Sequence, residues 1–297
     1  MTTVKELPVE DYFTSGHTAC PGCGGAMVAR IAMKVFGPNT VVYHPASCML
    51  IFSGTYPNNA FKVPYLHVLF ENSAVCAAGI RRALNRLGKT DVNVVAFAGD
   101  GGTADIGIQA LSGAAERNED IIYIMYDNEA YMNTGIQRSS STPFGAWTTT
   151  TPVGSVQAGK VEFKKDVAKI MMAHNVPYVA TASIAYPTDF IKKLEKAKAK
   201  KGFRFIQVLA PCPTGWKADS SKMVELSKMA VESGIWTLME CEDGKYTVNR
   251  TPKFSPVEEY LKSQGRFKHL TPEDVKKIQD WVKSKWDKDK ALEQVYK

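Results

Sequence analysis

No apolar run in the 297-residue chain approaches the roughly 20 residues that a membrane-spanning helix needs, so the sequence predicts no contact with a bilayer. The start, Met1 to Phe13, lacks the basic segment followed by an apolar one that marks a secretory leader, and the expected location is the cytoplasm. Clusters of Lys and Arg interleaved with aromatics, the pattern of nucleic-acid readers, are also missing, so the net charge of +7 does not by itself point to DNA or RNA. Much of that excess sits in two lysine-rich stretches, Lys192 to Lys201 and Lys276 to Lys290, which read as solvated helix faces. There are no internal repeats and no low-complexity tract. What is present is the composition of a globular protein, 44% hydrophobic and 23% charged, long enough for one large α/β domain with extensions or two small domains.

Through the first two thirds, short apolar runs alternate with stretches of helical spacing. Val41 to Tyr43, Val92 to Ala98, Ile121 to Tyr126, Tyr178 to Thr181 and Phe205 to Leu209 have the length and residue types of buried strands. Ala74 to Leu87, Ile106 to Arg117, Asp166 to His174 and Thr188 to Lys200 place apolar residues at helical intervals. This alternation predicts an α/β fold, a mostly parallel sheet with helices on both faces, whose ligands lie at the carboxyl ends of the strands. From Asn133 to Val161 the chain is rich in Ser, Thr, Gly and Pro without a period, and an ordered loop of that length in a compact domain usually has a function. After Trp216 the pattern is less regular, with strand-like Trp236 to Glu240 and Tyr246 to Val248, then a helix over Thr271 to Trp286 opened by Thr-Pro-Glu-Asp.

The apolar strand ending at Ala98 runs into Gly99-Asp100-Gly101-Gly102-Thr103-Ala104-Asp105 and then a helix, which presents backbone amides and a helix start to a phosphate. A glycine-rich turn of this kind occurs in many α/β proteins. The next strand sharpens it, because Ile121 to Tyr126 ends in Asp127-Asn128-Glu129-Ala130, and 25 residues lie between Gly101 and Asp127. Consecutive parallel strands deliver both polar clusters to one edge of the sheet. Magnesium takes oxygen ligands at about 2.1 Å in an octahedron, some of them from phosphates. The Asp100 carboxylate, the Asn128 amide oxygen and the Ala130 carbonyl can supply the protein's share. The spacing resembles the thiamine-diphosphate motif, in which Gly-Asp-Gly is followed about 25 residues later by an asparagine-containing pair.

Six cysteines stand at 20, 23, 48, 76, 212 and 241. Cys20-Pro-Gly-Cys23, Cys48 in Pro-Ala-Ser-Cys and Cys212 in Pro-Cys-Pro offer four thiolates, enough for a zinc ion or a four-iron four-sulfur cluster, and spacing alone does not separate the two. The surrounding prolines and glycines suit a cluster, whose sulfides take hydrogen bonds from nearby backbone amides. Cys76, in an apolar helix, and Cys241, after Met239-Glu240, read as buried small hydrophobes.

Together, Cys20-Pro-Gly-Cys23-Gly, Ser47-Cys48, Gly99-Asp100-Gly101-Gly102, the run from Tyr126 to Ser139 and Pro211-Cys212-Pro213 resemble the beta subunits of multi-subunit pyruvate:ferredoxin oxidoreductases, in the 2-oxoacid:ferredoxin oxidoreductase family, over nearly the full length. The resemblance implies the thiamine-diphosphate-binding fold, with a less regular C-terminal extension. It also implies that thiamine diphosphate is held through Mg2+ by Asp100, Asn128 and Ala130, with Gly99, Gly101 and Gly102 at the diphosphate. One 4Fe-4S cluster on Cys20, Cys23, Cys48 and Cys212, rather than zinc, is implied as a redox wire beside the thiamine. The implied reaction is the reversible oxidative decarboxylation of pyruvate to acetyl-CoA and CO2, with electrons leaving singly through clusters to ferredoxin and coenzyme A taking the acetyl group. Asn133 matches a family asparagine that faces the reacting centre, where its amide would hydrogen-bond the substrate oxygen as charge develops. Thr134, Gln137 and Arg138 are expected to shape the pocket. Ile51, three residues after Cys48, is expected beneath the thiamine, holding it bent.

Thiamine activation requires a glutamate against the aminopyrimidine, and in the family it comes from a different domain. Glu71 and Glu129 lie near the motifs, but neither belongs to a second α/β repeat. The resemblance therefore implies an alpha subunit that supplies the glutamate, and gamma and delta subunits, the delta carrying distal 4Fe-4S clusters. The chain is expected to divide into a diphosphate- and Mg-binding α/β domain over residues 1–215, with its N-terminal cysteine segment, and an extension over 216–297 that packs on the core and on partner subunits. Two competing readings are a sister enzyme acting on branched-chain oxoacids, 2-oxoglutarate or oxalate, and a zinc-stabilised binding module with a vestigial thiamine fold. The run from Tyr131 to Ser139 favours pyruvate over the first, and the intact Asp100 and Asn128 argue against the second.

Overall fold

Strands that are apolar at nearly every position need cover on both sides. In the computed structural model, which describes residues 3–296, such strands lie at the centre. β1 (Thr40–Pro45), β2 (Tyr65–Val68), β3 (Asn93–Gly99), β4 (Ile122–Asp127), β5 (Tyr178–Ser183), β6 (Arg204–Leu209), β7 (Met239–Glu242) and β8 (Lys245–Val248) form one sheet in the order β2-β1-β3-β4-β6-β5-β7-β8. The stretch from β2 to β5 is parallel throughout, whereas β7 is antiparallel to β5 and to β8.

Helices α1 (Gly24–Phe36), α2 (Cys48–Ser53), α3 (Ser73–Arg86), α4 (Asp100–Ala104), α5 (Ile108–Glu116), α6 (Val167–Met172) and α7 (Pro187–Ala199) cover this sheet. Val95, Phe97, Ile122 and Ile124 cluster with α1, α2 and α7, while the intervening Val94, Ala96, Ile121 and Tyr123 cluster with α3, α5 and α6. The period of two therefore feeds two cores, one on each face. The paired strands β1 and β3 send their connections to opposite faces, α2 to the first and α4–α5 to the second. Such divergence opens a crevice beyond the carboxyl ends of the strands, where α/β proteins place their ligands.

The short α2 and the edge strand β2 carry too few residues to announce a period, and neither was predicted; nor was α1, whose Gly-Gly start hides its beginning. The helix expected over 106–117 instead begins at Ile108, because Asp105, at φ −111° and ψ −96°, breaks it from α4. Past residue 212, α8 (Pro213–Trp216), α9 (Met223–Glu232), α10 (Val257–Lys262) and α11 (Pro272–Val295) surround a third core of Trp216, Leu226, Tyr260 and Val282, which Phe144 from the 133–161 loop joins. The helix opened by Thr271 has the expected cap, with the Thr271 hydroxyl and the Asp274 carboxylate bonding reciprocally to the backbone, but it runs to Val295 rather than Trp286. Among the described residues no helix is long and apolar enough to cross a membrane.

Candidate active site

β3 and β4 pair with Gly99 opposite Tyr126, so Asp100 and the Asp127-Asn128 pair emerge side by side. Asp100, 1% exposed, accepts a hydrogen bond from the Ser139 hydroxyl on Oδ2. Its other oxygen turns to Asn128. One terminal atom of the Asn128 amide stands 2.8 Å from Asp100 Oδ1 and 2.9 Å from the Ala130 carbonyl oxygen. As nitrogen, that atom donates to both. As oxygen, it forms with them a triangle of acceptors with no proton between them. The edges of an octahedron with arms of about 2.1 Å measure about 3.0 Å, so the oxygen orientation is the one that fits a divalent cation, and the nitrogen orientation is the amide's alternative without one. The chain reverses at Glu129, where φ is +72°, so that the Asn128 side chain and the Ala130 carbonyl face one another.

This loop rests on buried charge. Lys164 pairs with Asp127 at 2.8 Å and with Glu129 at 2.9 Å, and Arg266 pairs with Glu129 at 2.5 Å. Gln207 donates to Asp127 at 2.7 Å, the Thr142 hydroxyl to the Glu129 carbonyl at 2.7 Å, and the Trp216 indole to the Asn128 carbonyl at 2.9 Å. Burial alone would raise the Glu129 carboxyl, but the two cations outweigh it and hold it below the ordinary range. Burial pushes Asp127 up, against the pull of Lys164, and pushes Asp100 well up with help from the nearby Asp127 charge. A buried carboxylate in that position is completed by positive charge. The long loop is thus ordered, and its Ser139 and Thr142 brace the two halves of the oxygen cluster.

Beside the cluster a narrow cleft is lined by Ser47, Cys48, Gly99 to Gly102, Asn128 and Ala130 to Thr134. Of the residues singled out from the sequence, the cleft brings together Cys48, Gly99 to Gly102, Asn128, Ala130, Asn133 and Thr134. Gly101 is required by packing, since a Cβ there would lie 2.4 Å from the Tyr131 ring. Asn133 is exposed at the cleft, and among the described residues no hydrogen bond engages its amide. Thr134 and Gln137 instead bond to each other, through Thr134 Oγ1 to Gln137 Oε1 at 2.5 Å and Gln137 Nε2 to the Thr134 carbonyl at 2.7 Å, and so shape the loop. Arg138 pairs with Glu162 at 3.4 Å. Ile51 is placed otherwise than expected: it is 54% exposed and does not line the cleft, because it stands a helical turn beyond Cys48 along α2. Phe70 and Met132 are among the apolar side chains that do line the cleft.

Cys20, Cys23, Cys48 and Cys212 gather next to the cleft. Cys20 and Cys23 close one turn, and Gly24 ties it to the end of β6 by donating to the Pro211 carbonyl at 3.1 Å. A Cβ on Gly24 would lie 2.6 Å from the Ala210 carbonyl carbon, so only glycine allows this approach. Burial pushes the Cys23 thiol up to about 11 and the Cys48 thiol up to about 12, and charge on the other cysteines of the group adds to both shifts. Backbone amides oppose this, from Gly25 and Ala26 at Cys23 and from Gly215 at Cys212, the last at 3.3 Å from sulfur. Amide donors around desolvated thiols match a buried metal-thiolate centre. Among the described residues no three His, Cys, Asp or Glu side chains close on one point as ligands of a single ion. Cys76 and Cys241 belong to the core on the other face of the sheet. Sequence reasoning missed Lys164, Arg266, Trp216 and Gln207, which lie 36 or more residues from Asn128 and carry no motif.

The thiamine pyrophosphate enzyme, C-terminal TPP binding domain, matches residues 45–208. The chain is 54% identical over 280 residues to the pyruvate synthase subunit PorB of Methanothermobacter thermautotrophicus, covering 94% of this chain and 97% of that protein. It is 49% identical over 300 residues to the ketoisovalerate oxidoreductase subunit VorB of Pyrococcus furiosus, covering 98% and 96%, and 46% identical over 316 residues to the PorB of the same organism, covering 95% of each. Among solved structures, a 2-oxoglutarate:ferredoxin oxidoreductase from Magnetococcus marinus superposes with a TM-score of 0.57 at 22% identity, covering 75% of this chain and 79% of that one, a likeness of fold.

Proposed function

The chain belongs to the thiamine-pyrophosphate-dependent family that includes the PorB and VorB oxidoreductase subunits, and from that premise we propose that it is the beta subunit of a CoA-acetylating pyruvate:ferredoxin oxidoreductase. The observation that carries this is the juxtaposition, at one crevice, of the Asp100, Asn128 and Ala130 oxygens, the open amide of Asn133 and four cysteines. Asp100, Asn128 and Ala130 hold Mg2+ and through it the diphosphate; Cys20, Cys23, Cys48 and Cys212 hold one 4Fe-4S cluster. When bound, thiamine diphosphate supplies the carbanion equivalent that the 2-oxoacid needs to lose CO2, and the cluster accepts the two electrons one at a time. The chain's own part is to fix the cofactor's phosphate end, to exclude water with Phe70 and Met132, and to donate a hydrogen bond from Asn133 to the substrate oxygen. CO2 leaves, two ferredoxins are reduced, and coenzyme A takes the acetyl group.

Neither Glu71 nor Glu129 serves as the activating acid: Glu129 is committed to Lys164 and Arg266, and Glu71 does not line the cleft. An alpha subunit supplies that glutamate in a cytoplasmic complex that also contains gamma and delta subunits, the delta with distal clusters. A second reading has a specific basis, because the VorB of Pyrococcus furiosus is slightly more similar to this chain than the PorB of that organism; on it, the substrate is a branched-chain oxoacid. Anaerobic assay of the complex against pyruvate, 3-methyl-2-oxobutanoate, 2-oxoglutarate and oxalate decides between them, with the highest kcat/KM expected for pyruvate. The purified chain alone, loaded with iron, Mg2+ and thiamine diphosphate, is expected to release no CO2 from pyruvate until the alpha subunit is added. Release by the verified isolated chain would refute the divided site.

A further inference from the structure

A second cavity lies apart from the cofactor cleft. A space of about 200 Å3 opens between the sheet, the segment from Lys164 to Lys169, and α11, behind the charged cluster that supports the metal loop. Trp236, Trp281 and Met239 give it apolar walls, and five lysines face it against two aspartates. Most of these charges already have partners. Lys169 and Lys285 share the buried Asp289 at 2.6 and 3.2 Å, and Lys165 stands 3.7 Å from Asp105. Lys288 has no ion-pair partner among the described residues, and it lines the cavity. So does Tyr246, which is 1% exposed and whose hydroxyl has no hydrogen-bond partner. A buried hydroxyl is normally satisfied, so an unpaired one directed at a cavity marks where a ligand atom belongs.

We propose that this cavity is a second binding site, for a planar aromatic or heteroaromatic anion whose ring packs on Trp236 and Trp281 and whose acidic group meets Lys288, Lys285 and the Tyr246 hydroxyl. Aromatic walls recognise a flat ring, and Lys288, the one lining lysine without an ion-pair partner among the described residues, selects its charge. The site also touches the metal loop: Lys164 and Gln207 line the cavity and hold Asp127, at 2.8 and 2.7 Å. A bound anion competes with Asp127 and Glu129 for the Lys164 ammonium, so occupancy weakens Mg2+ binding, and by linkage Mg2+ weakens the anion.

The test is a fluorescence titration of the full chain with 8-anilinonaphthalene-1-sulfonate. One saturable site per chain is expected, displaced by indole-3-acetate and not by tryptamine, which carries the same ring with the opposite charge. Ser284→Trp, at the exposed mouth, should abolish binding, and Tyr246→Phe should weaken it about fivefold, as for one hydrogen bond, with thermal melting confirming that both variants fold. Non-saturable binding, equal displacement by tryptamine, or binding unchanged in Ser284→Trp would overturn the site. An Mg2+ affinity unmoved by saturating indole-3-acetate would overturn the coupling. None of these readouts involves turnover, so they stand or fall separately from the assigned reaction.

Discussion

Asp100, Asn128 and Ala130 stand on one side of the cleft, braced by Ser139, Trp216, Thr142 and the Lys164–Arg266 pairs. Asn133 lines the same cleft but is exposed, and among the described residues its side chain makes no hydrogen bond. The first arrangement is rigid before any ligand arrives, since each buried group has a counterpart and a displaced one would be left unpaired. The second keeps its hydrogen-bonding capacity for something outside the chain. On the proposed function, the difference separates two tasks of the site, gripping the phosphate end of the cofactor and presenting its reactive end to substrate.

The contrast breaks most severely on the braced side. Lys164→Met strands two buried carboxylates and is expected to cost about 3–5 kcal/mol of stability, read by denaturant melts. It should also change the pH profile. In the wild type Glu129 is held below its ordinary value, so its contribution is full above about pH 4.3 and fades as pH falls through the depressed folded value. Without Lys164, burial is opposed by Arg266 alone, and the acid limb should move to higher pH; an unmoved limb would mean that Arg266 suffices. Asp100→Asn should weaken Mg2+ and thiamine diphosphate together, by more than the roughly 10–100-fold lost on removing an outer partner of a metal ligand. Equilibrium dialysis showing cofactor affinity unchanged would remove Asp100 from the metal site.

On the open side the effect should be kinetic. Asn133→Ala is expected to lower kcat about 100-fold, the scale of one lost oxyanion donor, with cofactor affinity intact; a parallel fall in thiamine diphosphate binding would place Asn133 among the gripping residues instead. The smallest effect belongs to the cysteines outside the quartet. Cys76→Ala and Cys241→Ala should cost about 1–3 kcal/mol at most and leave iron content at the wild-type level. Loss of iron in either variant would show that the ligand set is wrong.

The candidate ligand groups were legible in the sequence because they are written locally. Gly99-Asp100-Gly101 and Asp127-Asn128 each end an apolar strand, and strands of one parallel sheet bring their carboxyl ends to one edge whatever the connecting helices contain. The alternating pattern likewise determined the central sheet and the helices on its two faces. Tertiary structure alone decided what holds those ligands. Lys164 follows an irregular loop, Arg266 belongs to the C-terminal region, and Trp216 follows the last cysteine of the quartet; nothing in their local sequence marks a charge or an indole that will be buried against a metal loop. It also decided that Ile51 faces outward and that Thr134 and Gln137 satisfy each other, because both depend on where a short helix or turn points. A motif specifies which atoms can bind, through residue type and spacing along one strand, whereas rigidity arises from contacts between segments distant in sequence, which only the folded chain brings within reach.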